Sequence, residues 1–282
     1  MRETLGHYRI LDRLGVDGIG ELYRARDTQL GRTAAVRVVG EAIRRDPERL
    51  RQLLADARAA AAVSHPNIAA LYEVAEDGGV NYLAGEYVAG QKLHGLIAGR
   101  PLNPRRAVDL TIQIADALAE ASVGEVAHGG VSTDTIVVTA KGNAKLLDFG
   151  LTRWLAEGRS RGTDDHQADI AALGRVLYEM LTGAAPSDGP APGIDARLPA
   201  ELGAVVRKAL AAPPDEGYES AATLAAELRS VLIALDGRAE SAIAPSPTAP
   251  ARTRTQTALI WFVVLAILAG TGWLVWMAAA AK

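Results

Sequence analysis

The chain has 282 residues, of which 49% are hydrophobic and 22% charged, an ordinary globular composition long enough for two substantial cores. A formal net charge of −3 argues against a nucleic-acid footprint. Zero cysteines exclude disulfides, thiol catalysis and thiolate metal sites, in keeping with a reducing compartment.

In chain order, residues 1–15 have no apolar core, so no secretory signal is expected. Residues 8–14, 21–26 and 33–39 carry the β-branched and apolar alternation of strands, bounded by Gly and Asp. Asp46-Pro47 opens one helix, with Leu50, Leu53, Leu54 and Ala57 on a single face, that ends at His65-Pro66. Further on, helical periodicity covers residues 104–122, 165–182, 200–211 and 220–236, with short strands at 136–139 and 144–147. Residues 236–257 are rich in Ala, Pro, Ser and Thr and read as an unpacked tether. Residues 258–281 are 24 in number without a charge, about 36 Å as a helix, and predict a transmembrane span. Trp261, Trp273 and Trp276 lie towards its ends. Arg252 and Arg254 precede it, which favours a cytoplasmic N-terminal side. Ala266 and Gly270 are spaced for helix pairing, so a homodimer through this span is one expectation.

Six segments in order carry a resemblance: Leu14-Gly15-Val16-Asp17-Gly18-Ile19-Gly20, Ala34-Ala35-Val36-Arg37, Ser64-His65-Pro66-Asn67, Tyr82-Leu83-Ala84-Gly85-Glu86-Tyr87-Val88, Asp148-Phe149-Gly150 and Asp169-Ile170-Ala171-Ala172-Leu173-Gly174. Together they resemble the bacterial membrane-anchored serine/threonine protein kinase family, in a degenerate, pseudokinase form. The resemblance implies an α+β, two-lobed protein-kinase-like fold, with a β-rich small lobe over residues 1–88 and a helical large lobe over 89–235.

The same resemblance gives each site residue a place. Gly15, Asp17 and Gly20 stand in the phosphate-covering glycine loop, Arg37 in the phosphate-pairing lysine position, and Glu86 and Val88 along the hinge that meets adenine. His128-Gly129-Gly130-Val131-Ser132-Thr133-Asp134-Thr135 stands where the family carries its catalytic loop. There Gly130 replaces the catalytic base, Ser132 the lysine and Thr135 the metal-ligating asparagine. Asp17 opposes a phosphate charge by about 4 kcal/mol at 4 Å and an effective dielectric of 20. Arg37 does not reproduce a lysine point charge, and it is expected to form a structural ion pair with Asp56. Asp148 is the remaining metal ligand, with Asp134 as a weaker candidate. Phe149 is expected to stack on His128. Asp169 follows Asp148 by only 21 positions, too few for the family's peptide-docking platform, and no Pro-Glu anchor follows Gly162-Thr163. Gly85 occupies the gatekeeper position, either filled by a neighbour or opening a pocket.

The expectation is therefore a protein at the bacterial inner membrane that does not transfer phosphate and that binds a signalling partner, with no required cofactor. An active atypical kinase using ATP and Mg²⁺ is the rival reading, and a nucleotide sensor without turnover the third.

Overall fold

The structure, a computed structural model, describes residues 3–155, 165–186, 199–211 and 216–243. Nine strands are seen among these residues: β1 (Thr4–Leu5), β2 (Tyr8–Val16), β3 (Gly20–Asp27), β4 (Thr33–Val39), β5 (Leu71–Asp77), β6 (Val80–Glu86), β7 (Gly90–Lys92), β8 (Ile136–Thr139) and β9 (Ala144–Leu146). The helices are α1 (Glu41–Arg44), α2 (Pro47–Ala61), α3 (Leu93–Ile97), α4 (Pro104–Val123), α5 (Thr152–Leu155), α6 (Asp165–Thr182), α7 (Ala200–Ala209) and α8 (Ala221–Ile243). They make a two-lobed protein-kinase fold, with a sheet in the small lobe and helices in the large one.

The small lobe is one antiparallel sheet in the order β1-β2-β3-β4-β6-β5. Strand periodicity explains its two cores, because successive side chains point to opposite faces. On β6, Tyr82 and Ala84 join Tyr8, Ala25 and Val36 on one face, and the ring of Tyr8 meets that of Tyr82 edge-on at 6.1 Å. Leu83 points the other way, into a cluster with Ile19, Val39, Ile43, Leu53 and Ala57 under α2. Burying one such leucine contributes about 1.5–3 kcal/mol.

Helices α2 and α4 start by the same local chemistry. Asp46 accepts hydrogen bonds from the amides of Glu48 and Arg49, both at 3.1 Å, with Pro47 in the first turn. Asn103 does the same for Arg105 and Arg106 ahead of Pro104. An acceptor before proline satisfies amides that the first turn leaves unpaired, while proline lacks one of them. In the large lobe α4 packs on α6, and α6 on α7 at Gly174, where a Cβ would meet the Ala209 side chain at 2.8 Å.

The lobes are stitched at the back. Leu146 donates its amide to the Asn67 carbonyl (2.8 Å) and accepts from the Ala69 amide (2.9 Å), forming a single parallel bridge with Ile68. Asn67 Nδ2 adds a hydrogen bond to the Ala144 carbonyl at 2.7 Å. Beside it, Lys145 Nζ reaches Glu86 Oε2 at 2.6 Å, joining β9 to the end of β6.

Two sequence expectations need correction. The small lobe holds two helices rather than one, because the single turn of α1 precedes α2 and buries Ile43. The expected tether from residue 236 begins instead as helix, since α8 continues to Ile243 through Ala, Glu and Arg, which favour helix, before the first proline at 245. By compactness the chain divides into Met1–Leu235 and Asp236–Lys282. The expected membrane span at 258–281 lies outside the described residues, among which no helix is long and apolar enough to cross a membrane.

Candidate functional site

A cavity of about 380 Å³ lies between the lobes, with Leu22 and Ala35 on one wall and Val137, Leu147 and Phe149 on the other. The strand-to-hinge backbone carrying Glu86 and Val88 forms its edge, and Arg37 and Asp148 close one end. Gly85 also lines it. A Cβ there would sit 2.8 Å from the Ala70 carbonyl and 3.6 Å from Leu71 Cδ1, so β5 fills the gatekeeper space.

The charged end is built from three residues. Arg37, paired across β3 and β6, has a side chain only 8% exposed. Its Nη2 contacts Asp148 Oδ1 at 2.8 Å and its Nε lies 2.9 Å from Asp17 Oδ2. The Nε–H does not point along the second contact, which is therefore an ion pair more than a hydrogen bond. Burial disfavours the charged guanidinium, but the carboxylates of Asp148 and then Asp17 outweigh it and hold its pKa above the ordinary value. Asp148 sits at φ +56°, a left-handed backbone that an aspartate tolerates better than most residues.

Asp17 has a second task in the glycine turn. Its Oδ1 accepts from the amides of Ile19 (2.9 Å) and Gly20 (3.1 Å), so the side chain folds into the turn while its other oxygen faces Arg37. Gly20 is required there: at φ +154°, a Cβ would lie 1.9 Å from the Val38 carbonyl. Gly15 has open space around it.

The expected Arg37–Asp56 ion pair does not form. Asp56 Oδ2 instead accepts from Trp154 Nε1 at 2.7 Å and from the guanidinium of Arg153, both on α5. Two closer carboxylates already occupy Arg37, and the turn of helix after Phe149 brings two donors against α2. Trp154 and Leu155 also pack on the core under the sheet. The tip of the glycine turn rests on this helix, since a Cβ on Gly18 would meet the Trp154 carbonyl at 2.4 Å.

The loop at 128–135 is held from behind. Asp169, 3% exposed, accepts from the amides of His128 (2.7 Å) and Gly129 (2.9 Å). His128 Nε2 bonds the Leu147 carbonyl at 2.9 Å, and its Nδ1 accepts from the Gly130 amide at 3.2 Å, which fixes a neutral ring with the proton on Nε2. Burial pushes its pKa down to about 4. Its ring meets Phe149 edge-on at 5.5 Å, the stacking expected between these two.

In front, the three replaced positions are engaged or crowded. A Cβ on Gly130 would lie 3.0 Å from Thr152 Cβ, and Thr152 Oγ1 donates to the His128 carbonyl. Thr135 Oγ1 accepts from the Ser132 amide at 2.9 Å and lies 3.3 Å from Ser132 Oγ, so these hydroxyls are turned on one another. Asp134 is exposed on the same loop. Among the described residues no group of three or more His, Asp or Glu is placed to hold a metal ion.

The groups that phosphoryl-transfer sites use for magnesium and phosphate are turned on one another here. A metal ligand is wanted at Asp148, but its carboxylate is bound to Arg37; a cation is wanted at Arg37, but it is matched by two carboxylates. Four contributors escaped the sequence: Thr152, Arg153, Trp154 and Lys145. The Gly129-Gly130 pair signals that something approaches closely, yet nothing in the sequence says that it is Thr152.

Comparison with known proteins agrees with the fold. The probable serine/threonine-protein kinase SCO3848 of Streptomyces coelicolor is 30% identical over 273 residues, covering 82% of this chain and 41% of that protein. PrkC of Bacillus subtilis is 29% identical over 261 residues (80% and 40%), and PknB of Mycolicibacterium smegmatis 32% over 263 residues (78% and 42%). The chain thus spans about two fifths of the length of these curated relatives. The crystal structure of the Mycobacterium tuberculosis PknI kinase domain superposes with a TM-score of 0.66 at 25% identity, covering 80% of this chain and 96% of that one. The protein kinase domain family matches residues 8–166, more than half of the sequence, and the chain belongs to that family.

Proposed function

We propose that this protein is a pseudokinase: a kinase-fold scaffold or regulator that binds a signalling partner at the bacterial inner membrane and transfers no phosphate. One observation carries the reading. The arginine in the phosphate-pairing position is bound to both the glycine-turn Asp17 and the metal-position Asp148. Phosphoryl transfer depends on positioned phosphates and on charge neutralisation by metal and lysine. Here the cation and the metal ligand satisfy each other, and the added carboxylate leaves the triad with a net negative charge.

The missing base supports the same reading. Gly130 has no side chain to orient a hydroxyl, and Thr152 stands where one would go. The membrane assignment rests on the uncharged 24 residues at 258–281, with a helix-pairing spacing inside them that would allow a homodimer.

The test is direct. The full chain in detergent, incubated with γ-labelled ATP, Mg²⁺ and a generic basic protein, is expected to incorporate no label into itself or the substrate. Incorporation by the unmodified chain that is lost in Asp148→Asn would establish the active-kinase reading instead.

A further inference from the structure

The two ends of the interlobe cavity differ in kind. At the hinge end the walls are apolar: Leu14, Leu22 and Ala35 above, Val137 and Leu147 below. Its 380 Å³ falls in the range of sites that enclose small molecules, about 300–1,000 Å³. The charged groups at that end are already matched or wet. Glu86 is paired with Lys145 at 2.6 Å, and Lys92 is exposed at the rim.

At the other end three independent features occupy the room a phosphate chain needs. Arg37 is 8% exposed and held by two carboxylates. Asp17 turns its remaining oxygen onto the amides of Ile19 and Gly20, the backbone donors of the glycine turn. The tip of that turn rests on the backbone of Trp154, with no gap for even a methyl group at Gly18. Donors that would receive an anion are spent on internal anions: Arg37 on Asp148 and Asp17, and the amides of Ile19 and Gly20 on Asp17, whose carboxylate gives the three-residue cluster one negative charge in excess.

We propose that this cleft binds an uncharged, nucleoside-sized planar heterocycle in preference to the phosphorylated form of the same heterocycle. The proposal rests on the reading that the cleft transfers no phosphate, and it adds the class of ligand: one whose ring lies between the apolar walls and whose far end is neutral. A phosphorylated ligand must first part Arg37 from Asp17 or Asp148; a neutral one leaves the triad intact.

Adenosine and ATP share one ring system and differ in the triphosphate, so the ratio of their affinities reads the charged end alone. Calorimetry and ligand-observed NMR on the full chain in detergent, with and without Mg²⁺, are expected to show adenosine binding at least ~10-fold tighter than ATP. Asp17→Gly removes one of the two carboxylates; it is expected to raise ATP affinity at least ~10-fold while adenosine stays within about threefold. Ala35→Trp, or Leu22→Trp if the first does not fold, fills the apolar wall and is expected to abolish adenosine binding. ATP binding as tightly as adenosine to the unmodified chain overturns the proposal. So does adenosine binding that persists in a folded wall-filling variant, or no adenosine binding at millimolar concentration. Preference for ATP without label transfer sinks this proposal alone, whereas label transfer sinks the pseudokinase reading whatever the order of affinities.

Discussion

Replacing Arg37 by methionine removes the cation that Asp17 and Asp148 share while keeping an unbranched apolar stem. Deleting one partner of a buried ion pair costs about 3–5 kcal/mol. The two carboxylates here are 22% and 26% exposed, so water regains part of each. Their mutual repulsion, taken at about 5 Å and an effective dielectric of 20, is about 3 kcal/mol before either side chain moves. Together these give an expected loss of about 2–3 kcal/mol, or about 5–10 °C in the apparent midpoint for a folded unit of this size. Thermal unfolding of the full chain in detergent, followed by circular dichroism, measures it. Asp17→Asn added to Arg37→Met should recover more than half of the loss, because asparagine keeps the acceptor for the Ile19 and Gly20 amides and drops the charge. A midpoint change under about 2 °C in Arg37→Met, or strict additivity of the two substitutions, would refute the triad as an energetic unit.

Restoring the family's acid with Gly130→Asp is expected to yield no label transfer and to lower stability by about 1–3 kcal/mol through crowding against Thr152; Thr152→Gly in the same chain, which removes the Cβ that stands 3.0 Å away, should make the added cost of Gly130→Asp smaller than in the unmodified background, as read by the unfolding midpoint. His128 predicts a pH dependence. The unfolded ring takes up a proton near its ordinary value of about 6.5, while the buried ring does so only near about 4. Between these values the unfolded chain binds more protons, so stability is whole above the upper value and declines by up to about 3 kcal/mol as the pH falls to the lower one. Subtracting the pH profile of His128→Gln, in which the carboxylate contribution is common, isolates this component; identical slopes in the two proteins would contradict it.

The sequence made the main elements legible where one physical signal dominated. Asp46-Pro47 and Asn103-Pro104 each carry an acceptor and a residue with no amide to satisfy, and both helices begin there. The strands at 8–16, 20–27 and 33–39 follow side-chain alternation closely. Short pieces such as α1, α3 and β7 stayed hidden because three to five residues hold no full period of either pattern. The site was legible as a set of replaced positions and illegible as a set of contacts. Asp17 and Arg37 each stand out in the sequence alone, and nothing local to either says that they meet. Asp56 was assigned to Arg37 by family analogy, and the donors that actually reach it, Arg153 and Trp154, lie 97 and 98 positions away. Separation of that order is set by packing, which local patterns do not encode.

The stitch at Asn67, Ile68 and Leu146 has a mechanical consequence. Backbone hydrogen bonds on both sides of Leu146, with the Lys145–Glu86 contact beside them, make a short stiff seam at the rear of the cleft, and a seam there leaves rotation about its own line as the soft motion between the lobes. At the front, Asp148 holds Arg37 across the same gap, so that rotation is clasped as well. Two lobes fastened along opposite borders hold a nearly constant cleft between them. Anything that recognises it meets one preformed contour, and little ordering entropy is lost on contact.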